Sequence, residues 1–363
     1  MPFAAIRGTT SGMKDRAAVA VAFAAFLAGA PAAAAHQGAP ARPRAHLSVG
    51  PATLTYRGGR ATVRWSAPHA RHCTLTASQR FWRGRNPLHK CNGRISAVVP
   101  AADFPTRWKF TLQARNAAGQ AAVVRRTLVV RAPPFDVSPN WSGYVVPSTS
   151  RVTAASGRFT VPTLDCRHTE RSSMSAWVGT GGAGASSGDL LQTGIRSDCV
   201  FGVEDQWYAW WDEFPEYPEV DFTGMSISAG DVMQANVVQN ADGTWTTRLD
   251  DLTTGVSGVL TTGGAYGTVR DSSPTTWLDE EGSAAGVAYS GGYTAEWIVE
   301  SFSLYVGLAD FGRVTFTGLT TSLPSWGLTG DEQLGLGDAF GFLYAAPSAP
   351  DSSKYGFSVS YTG

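Results

Sequence analysis

The sequence is poor in charged residues, cysteine and histidine, and each shortage narrows the classes of protein that it can encode. Charged residues make up 16% of 363 residues, below the usual quarter, while 43% hydrophobic residues exclude a disordered chain. Neither a CxxC pair nor the HExxH helix of a metalloprotease occurs, and phosphate-binding and dinucleotide-binding glycine loops are absent. We therefore predict no metal site and no cofactor.

Long apolar runs are also missing, with one exception near the N-terminus. Three basic residues precede an apolar stretch at 17–35 that ends in three alanines. This pattern is typical of a secretory signal peptide, removed before His36. A transmembrane anchor is the alternative, but the stretch is mostly alanine, contains a proline and barely spans a bilayer. We predict a secreted, extracellular protein without a membrane segment after processing.

The formal net charge is zero, yet the charges are strongly segregated. Residues 36–134 contain 17 basic residues and one acid, a net of +16, whereas residues 135–363 contain 9 basic residues and 27 acids, a net of −18. The reversal coincides with Ala132-Pro133-Pro134, which indicates a domain boundary. The predicted organisation is a signal peptide at 1–35, a basic domain at 36–131, a proline-rich linker at 132–139 and an acidic domain at 140–363.

Alternating apolar and polar residues predict β-strands in both domains. Ala61–Trp65 and Phe110–Ala114 alternate in the basic domain, and Val232–Val238 and Arg313–Thr317 alternate in the acidic one. Asn116-Ala117-Ala118-Gly119 resembles a hairpin turn. The predicted fold class is all-β, with a small N-terminal immunoglobulin-like sandwich.

The four cysteines favour disulfides in an exported chain. Three pairings are open in principle. Because each domain contains one pair, we predict Cys73–Cys91 and Cys166–Cys199, neither of which joins the two domains.

Seven short motifs in the acidic domain occur in an order that resembles the glutamic peptidases, the eqolisin or G1 family. The motifs are Asn140-Trp141-Ser142-Gly143-Tyr144-Val145, Gly157-Arg158-Phe159-Thr160-Val161-Pro162, Ala176-Trp177-Val178-Gly179, Leu191-Gln192-Thr193-Gly194, Asp205-Gln206-Trp207-Tyr208, Ser226-Ile227-Ser228-Ala229-Gly230-Asp231 and Ala295-Glu296-Trp297-Ile298-Val299-Glu300. The resemblance extends from about residue 138 to the C-terminus. It implies a large lectin-like sandwich of two antiparallel sheets and endopeptidase activity on proteins or peptides at acid pH.

The resemblance also implies a catalytic pair, Gln192 and Glu296. A carboxylate can serve as a base in acid, where a histidine is protonated, and a glutamine amide stays neutral at any pH. Glu296 would activate a water and then protonate the leaving amine, while Gln192 would stabilise the oxyanion, without a covalent intermediate. The residues expected to bind substrate at family cleft positions are Trp141, Trp177, Asp205 and Trp207.

The sequence departs from the family pattern at two positions near this site. Family members often carry an aspartate shortly after the Ala-Trp-Val-Gly segment, but Thr180-Gly181-Gly182-Ala183 follows it here. An acidic residue often follows the Trp-Tyr pair in the family, but Ala209 follows Trp207-Tyr208 here. The segment Asp212-Glu213-Phe214-Pro215-Glu216 is a candidate source of that acid.

The alternative function is a secreted glycoside hydrolase or carbohydrate-binding protein, in which Glu296 would act with Asp205 or Glu213. For the basic domain we consider an accessory module that binds an anionic cell-wall polymer and a pro-region held to the acidic domain by complementary charge, and our hypothesis is the pro-region. Nucleic acid is not expected as a partner, because the chain is exported and lacks a recognition motif.

Overall fold

The computed structural model describes residues 41–84, 86–168, 171–183, 189–215, 217–262, 277–278, 289, 291–301 and 307–363. The predicted signal peptide lies outside the described residues. Within these ranges the regular structure is β, apart from two short 3₁₀ turns, Cys166–His168 and Gly330–Glu332. No helix in the described part of the chain is long and apolar enough to cross a membrane. The predicted all-β fold class is confirmed.

Among the described residues, seven strands precede the predicted boundary and eighteen follow it. The strands are β1 (His46–Gly50), β2 (Thr53–Leu54), β3 (Gly59–Ser66), β4 (His72–Ala77), β5 (Asn92–Val99), β6 (Thr106–Arg115), β7 (Ala121–Val130), β8 (Asp136–Ser138), β9 (Trp141–Pro147), β10 (Ala154–Thr160), β11 (Arg171–Gly181), β12 (Leu190–Val200), β13 (Val203–Glu204), β14 (Tyr208–Phe214), β15 (Tyr217–Thr223), β16 (Val232–Gln239), β17 (Trp245–Asp251), β18 (Ser257–Thr262), β19 (Trp277–Leu278), β20 (Thr294–Glu300), β21 (Gly307–Leu308), β22 (Arg313–Thr321), β23 (Gln333–Gly337), β24 (Leu343–Pro347) and β25 (Phe357–Tyr361).

The N-terminal strands form two small sheets. One has the order β1-β3-β5 and the other β2-β7-β6-β4. Along β3, Ala61, Val63 and Trp65 are buried while Arg64 is exposed, because successive side chains of a strand point to opposite faces. The inward side chains of both sheets join in one buried apolar cluster. The predicted turn between β6 and β7 is present, since the Gly119 amide donates to the Asn116 carbonyl oxygen at 3.1 Å.

The strands β8 to β25 are connected by hydrogen bonds into one continuous sheet. One run of neighbours is β15-β14-β12-β11-β20-β9, and another is β18-β17-β16-β10-β22-β25-β24-β23. The two runs meet where β23 pairs with β9. A large apolar core, which includes Trp211 and Trp297, is formed mainly by one face of these strands. The opposite face of β9, β20, β11, β12 and β14 carries the candidate site.

The N-terminal and C-terminal sheets contact each other through a small apolar cluster. Ala101, Leu343 and Ala346 are buried there, with Tyr56 and Phe135 packed against them. An isolated backbone bridge between Ala102 and Phe342 lies beside this cluster. No ion pair in the described ranges joins the basic residues before the boundary to the acidic residues after it.

Candidate active site

Four residues on neighbouring strands lie opposite one another and form a row across the sheet. One of the two inner residues is a glycine. Gly179 of β11 pairs with Gln192 of β12 on one side and with Glu296 of β20 on the other. Asp212 of β14 pairs in turn with Gln192. Directly opposed residues of antiparallel strands point to the same face of the sheet. Because neighbouring strands lie about 4.8 Å apart, the Cα atoms of Gln192 and Glu296 are separated by roughly 10 Å across the glycine.

Gly179 keeps the space between the two polar side chains open. A Cβ at this position would lie 3.1 Å from the Gln192 Cβ and 3.0 Å from the Leu191 carbonyl oxygen. These distances are shorter than ordinary van der Waals contacts, so any larger residue would displace Gln192. At this level of the sheet, therefore, no side chain of β11 stands between Gln192 and Glu296.

Glu296 is a fully buried carboxyl group without a hydrogen-bond partner for either oxygen among the described residues. Burial disfavours the charged form of a carboxyl group. It raises the pKa of Glu296 well above the usual value, and the nearby hydroxyl of Thr294, which donates to the Gly181 carbonyl oxygen, opposes part of this shift. An unpartnered buried polar group is costly to a fold, and such groups are concentrated at functional sites.

Gln192 is oriented by Asp212, a neighbour on the adjacent strand. The Gln192 Nε2 donates to Asp212 Oδ2 at 3.0 Å, which leaves Gln192 Oε1 without a partner among the side chains and backbone groups described. Burial raises the pKa of Asp212 to about 7, although the hydrogen bond from Gln192 partly opposes the shift. Asp212 is therefore neutral in acid and becomes charged near neutral pH.

Glu300 lies on the same face, four residues after Glu296 on β20. Its Oε2 accepts a hydrogen bond from Trp177 Nε1 at 2.8 Å, and its Oε1 accepts one from Asn140 Nδ2 at 2.8 Å. Burial raises the pKa of Glu300 to about 7, against the effect of these donors. Glu300 thus fixes the indole of Trp177, whose ring meets that of Trp141 edge to face at 5.1 Å.

Apolar side chains surround the row of polar groups. The buried residues Trp177, Leu190, Trp210 and Ile298 form one cluster, and Trp141 and Val145 pack against it. These indoles and aliphatic groups remove water from the carboxyl groups, which is the physical cause of their raised pKa values.

The far end of this face carries a charged cluster around Arg196 of β12. Arg196 forms ion pairs with Glu219, Asp221 and Asp198, and its guanidinium lies 4.7 Å from the centre of the Tyr208 ring. Burial raises the pKa of Glu219 to about 8, even though the adjacent Arg196 favours the charged form.

The structure brings together four of the six predicted site residues. Gln192, Glu296, Trp141 and Trp177 share the face described above. Asp205 and Trp207 do not reach it. Asp205 is exposed in the segment before β14, seven residues and up to about 23 Å from Asp212 along the chain.

Trp207 packs into the main core on the other face of the sheet. It is 6% exposed, belongs to the cluster that contains Ile227 and Met225, and donates through Nε1 to Glu204 Oε1 at 2.9 Å. The tryptophan of β14 that lies on the same face as Gln192 and Glu296 is Trp210, which pairs with Gly194. Sequence reasoning missed Trp210 and Glu300, although the alternation of Tyr208, Trp210 and Asp212 along one strand was a usable signal.

Both predicted disulfides are present, Cys73–Cys91 with a Cα–Cα distance of 4.9 Å and Cys166–Cys199 with 5.3 Å. The pairing prediction is therefore confirmed.

In the part of the chain that the structure describes, no three His, Cys, Asp or Glu side chains lie close enough together to hold a metal ion.

The fold and the site together define an all-β protein with a buried carboxyl–carboxamide pair on the face of a large antiparallel sheet. The model of the Peptidase A4 family matches residues 139–333, and the chain belongs to this family. The resemblance of the acidic domain to the glutamic peptidases is thus confirmed.

Two curated relatives each match about half of the chain. Aspergillopepsin-2 of Aspergillus niger is 29% identical over 204 residues, which are 50% of this chain and 64% of the relative. Scytalidopepsin B of Scytalidium lignicola is 31% identical over 176 residues, which are 45% of this chain and 58% of the relative. The chain therefore spans about three-fifths of the length of these relatives.

Solved structures are also similar to the chain. A crystal structure of scytalido-glutamic peptidase with a transition state analog inhibitor covers 62% of this chain and 99% of its own length, at 23% identity and a TM-score of 0.45. The crystal structure of aspergilloglutamic peptidase from Aspergillus niger covers 52% of this chain and 99% of its own, at 27% identity and a TM-score of 0.37.

Proposed function

We propose that the protein is a secreted acid endopeptidase of the glutamic type, which hydrolyses protein or peptide substrates with Gln192 and Glu296. The observation that carries the proposal is the pairing of both residues with Gly179, which sets a buried carboxyl and a carboxamide on the same face of the sheet with no side chain between them. Membership of the Peptidase A4 family supports it. The relatives' names indicate peptidases, and this activity is transferred here as part of the proposal.

In the proposed mechanism Glu296 acts first as a base and then as an acid. Its ionised carboxylate removes a proton from a water that attacks the scissile carbonyl carbon, and the same proton is then delivered to the leaving amine. A raised pKa makes Glu296 a stronger base, and a water hydrogen-bonded to the ionised form would lower the pKa toward the working range. Neither side chain attacks the substrate, so no covalent intermediate forms.

Gln192 would stabilise the negative oxygen that develops in the tetrahedral intermediate. Its Nε2 is already held by Asp212 at 3.0 Å, which limits the side-chain freedom that is lost in the transition state. A charged Asp212 would repel the oxyanion, whereas a protonated Asp212 would not. Because the pKa of Asp212 is about 7, we infer that the site functions below neutral pH.

The glycoside hydrolase alternative receives less support from the geometry. The carboxyl groups of inverting enzymes are about 6.5–9.5 Å apart, and those of retaining enzymes about 5–5.5 Å apart. Asp212 lies three strands from Glu296, a Cα separation of roughly 14 Å. Glu213 pairs with Leu191 and so points to the opposite face, and Asp205 is remote.

Proteolysis of casein across pH 2–7, with pepstatin present, tests the proposal. The wild type should cleave casein in acid, and Glu296→Gln and Gln192→Ala should each lose at least about 100-fold in kcat/KM, as expected for the loss of a base or an oxyanion donor. A Gln192→Ala protein with full activity at pH 3–4 would refute the dyad. Cleavage of polysaccharide but not of protein would favour the alternative.

We also propose the finer fold assignments made from the sequence. Two sheets of three and four strands around one core support an immunoglobulin-like sandwich at 36–131. The two runs of strands in the acidic domain support a lectin-like sandwich at 140–363. Secretion is supported by the sequence pattern of residues 1–35, and N-terminal sequencing of the exported protein would test the cleavage before His36.

For the basic domain we propose the accessory role rather than the pro-region role. A pro-region held by charge requires arginine–carboxylate pairs between the domains, but the contact described above is apolar. The one acid of residues 36–134, Asp103, lies close to another acid, Asp338, and its pKa is raised chiefly by burial and also by this neighbour. Acidification would therefore remove a repulsion instead of releasing the contact. Fragments 36–134 and 135–363 should associate no better at pH 7 than at pH 4.

A further inference from the structure

The exposed face of the sheet β1-β3-β5 carries a pair of arginines in an unusual position. Arg64 of β3 lies directly opposite Arg94 of β5, and Ser48 of β1 is opposite Arg64. Both arginines are exposed. Like charges in directly opposed positions destabilise a sheet. Neither side chain forms an ion pair with a carboxylate of the described residues, so the repulsion is not compensated within the fold.

A cavity of about 610 Å³ adjoins this pair. Arg64, Arg94 and Arg126 of β7 line it, together with His46 and Ser48 of β1, and the buried indole of Trp65 lies behind them. One amino group of Arg126 donates to the Arg125 carbonyl oxygen at 2.8 Å, which anchors the guanidinium at the rim. Every charged group in the lining is basic, so the cavity offers hydrogen-bond donors and positive charge to a negatively charged ligand.

The nearest candidate for an internal counter-charge is elsewhere. Asp103 is the one acid among residues 36–134, and it lies at the contact with the acidic domain, where a Cβ on Gly337 would be 3.5 Å from its Oδ2. The arginine pair must therefore be neutralised from outside the basic domain. Guanidinium groups bind phosphate oxygens in a bidentate manner, which makes phosphate the ligand chemistry that fits best.

The basic surface extends beyond the cavity along the same strand. Arg60 is exposed on the same face of β3 as Arg64, four residues and about 13 Å away. This distance exceeds the size of a single phosphate ion, so the surface suits a chain of phosphate groups. The described residues of this face include no exposed phenylalanine, tyrosine or tryptophan on which bases could stack, as single-stranded nucleic-acid sites require. The ring that it does expose is the imidazole of His46.

We propose that Arg64, Arg94 and Arg126 form a binding site for a non-nucleic-acid polymer of phosphate groups, such as a phosphate-bearing cell-surface polymer. The site is independent of the proposed peptidase activity. It would retain the enzyme on a polyanionic surface through the basic domain.

Binding of the full-length protein to long-chain inorganic polyphosphate, measured by fluorescence anisotropy at several salt concentrations, tests this site. Each lost phosphate contact reduces the slope of log Kd against log salt by about 0.7 for a flexible polyanion. The double variant Arg64→Ser/Arg94→Ser should therefore lower the slope by about 1.4 and weaken binding roughly 25-fold at 0.1 M salt.

The matched control removes two equally exposed arginines from the outer face of the other sheet, Arg107→Ser/Arg115→Ser of β6. The control should retain most of the affinity. Equal weakening in the two variants, or no binding by the wild type at 0.05 M salt, would overturn the proposal.

Two competitors distinguish the sources of phosphate. If the site binds several linked phosphate groups, orthophosphate at millimolar concentration should displace polyphosphate poorly. Efficient displacement would contradict the proposal that the ligand is a polymer. A thymidine oligonucleotide of equal charge should bind more weakly than polyphosphate. Tighter binding of the oligonucleotide would replace the proposed ligand class with nucleic acid.

Discussion

Gln192 and Glu296 lie on opposite sides of the same glycine and point to the same face of the sheet. They are 104 positions apart in sequence (296 − 192), and neither pairs with the other directly. The strand between them, β11, supplies no side chain at that level because its residue is Gly179. No side chain therefore separates the pair, because one strand residue is a glycine and not because a loop is open.

Gly179→Ala should damage activity more than stability. The added Cβ would lie 3.0–3.1 Å from Leu191, Gln192 and Leu190 atoms, so these neighbours must shift by a few tenths of an ångström. Because a misplacement of about 1 Å can cost roughly 100-fold in rate, this smaller shift should cost about 10-fold. We expect that loss in kcat/KM on a peptide substrate. Gly307→Ala is the control, because a Cβ there has no atom within 4 Å. Equal activity of the two variants would show that a glycine is not needed at position 179.

Asp212→Asn should extend activity toward higher pH. The asparagine oxygen can still accept from Gln192 Nε2, but it cannot become charged. In the wild type Asp212 ionises as the pH rises through about 7, and its charge would then oppose the oxyanion. We expect the alkaline limb of the kcat/KM profile near pH 7 to move upward in Asp212→Asn, while the acid limb, set by Glu296, stays in place. An unchanged alkaline limb would assign it to another group.

Trp210 and Trp207 should respond differently to the same substitution. Trp210 belongs to the apolar cluster beside the dyad, whereas Trp207 packs in the main core on the other face. Trp210→Phe should raise KM or lower kcat and should also lower Tm, because Trp210 is fully buried and the smaller ring leaves a cavity. Trp207→Phe should lower Tm with little change in kcat/KM. The measurement is a peptide assay paired with thermal unfolding. The reverse result would restore Trp207 as the residue that contacts substrate.

These two tryptophans also show why only part of the site could be predicted from the sequence. The alternation of residues predicted the strands and the all-β class, and the even division of cysteines predicted both disulfides. Which face a residue occupies depends on where pairing starts, and a shift of one residue exchanges the two faces. The strand β14 begins at Tyr208, after the isolated bridge at Trp207. Trp210 therefore faces the dyad and Trp207 does not.

From the sequence, Asp212 could be predicted only as one of several acidic residues that could lie at the site of the missing acid. The segment 212–216 was a candidate source of a missing acid, but the contact with Gln192 arises from pairing of β12 with β14. Such pairing depends on the register of the two strands, which the composition of either strand alone does not determine.

The two disulfides should stabilise different parts of the chain. Cys166 and Cys199 are 33 residues apart and Cys73 and Cys91 are 18 apart, which correspond to about 4 and 3 kcal/mol in the loop-entropy model. Cys166→Ser/Cys199→Ser should lower the unfolding free energy of the acidic domain and reduce activity at elevated temperature. Cys73→Ser/Cys91→Ser should leave peptidase activity intact. Loss of activity in the second variant would show that the acidic domain depends on the basic one.

The acidic domain should be more stable in mild acid than at neutral pH. Burial raises the pKa of Asp212 and Glu300 to about 7 and of Glu219 to about 8. In the unfolded chain these groups ionise near pH 4, so between pH 4 and 8 the native state binds more protons than the unfolded state. Their stabilising contribution is complete below about pH 4 and is lost as the pH rises through 7–8. Asp212, Glu300 and Glu219 are each expected to contribute on the order of 3–5 kcal/mol before relaxation.

Urea unfolding at pH 4, 6 and 8, followed by tryptophan fluorescence, measures this dependence. The unfolding free energy should fall from pH 4 to pH 8, and Asp212→Asn and Glu300→Gln should each flatten the fall, because neither replacement can ionise. Asp242→Asn is the matched control, since Asp242 is exposed and hydrogen bonds from Thr244 lower its pKa. It should leave the slope between pH 4 and 8 unchanged. A wild-type free energy that rises over this range would show that the carboxyl groups beside Gln192 are ionised in the native protein, and the acid working range inferred for the site would then have no basis in Asp212.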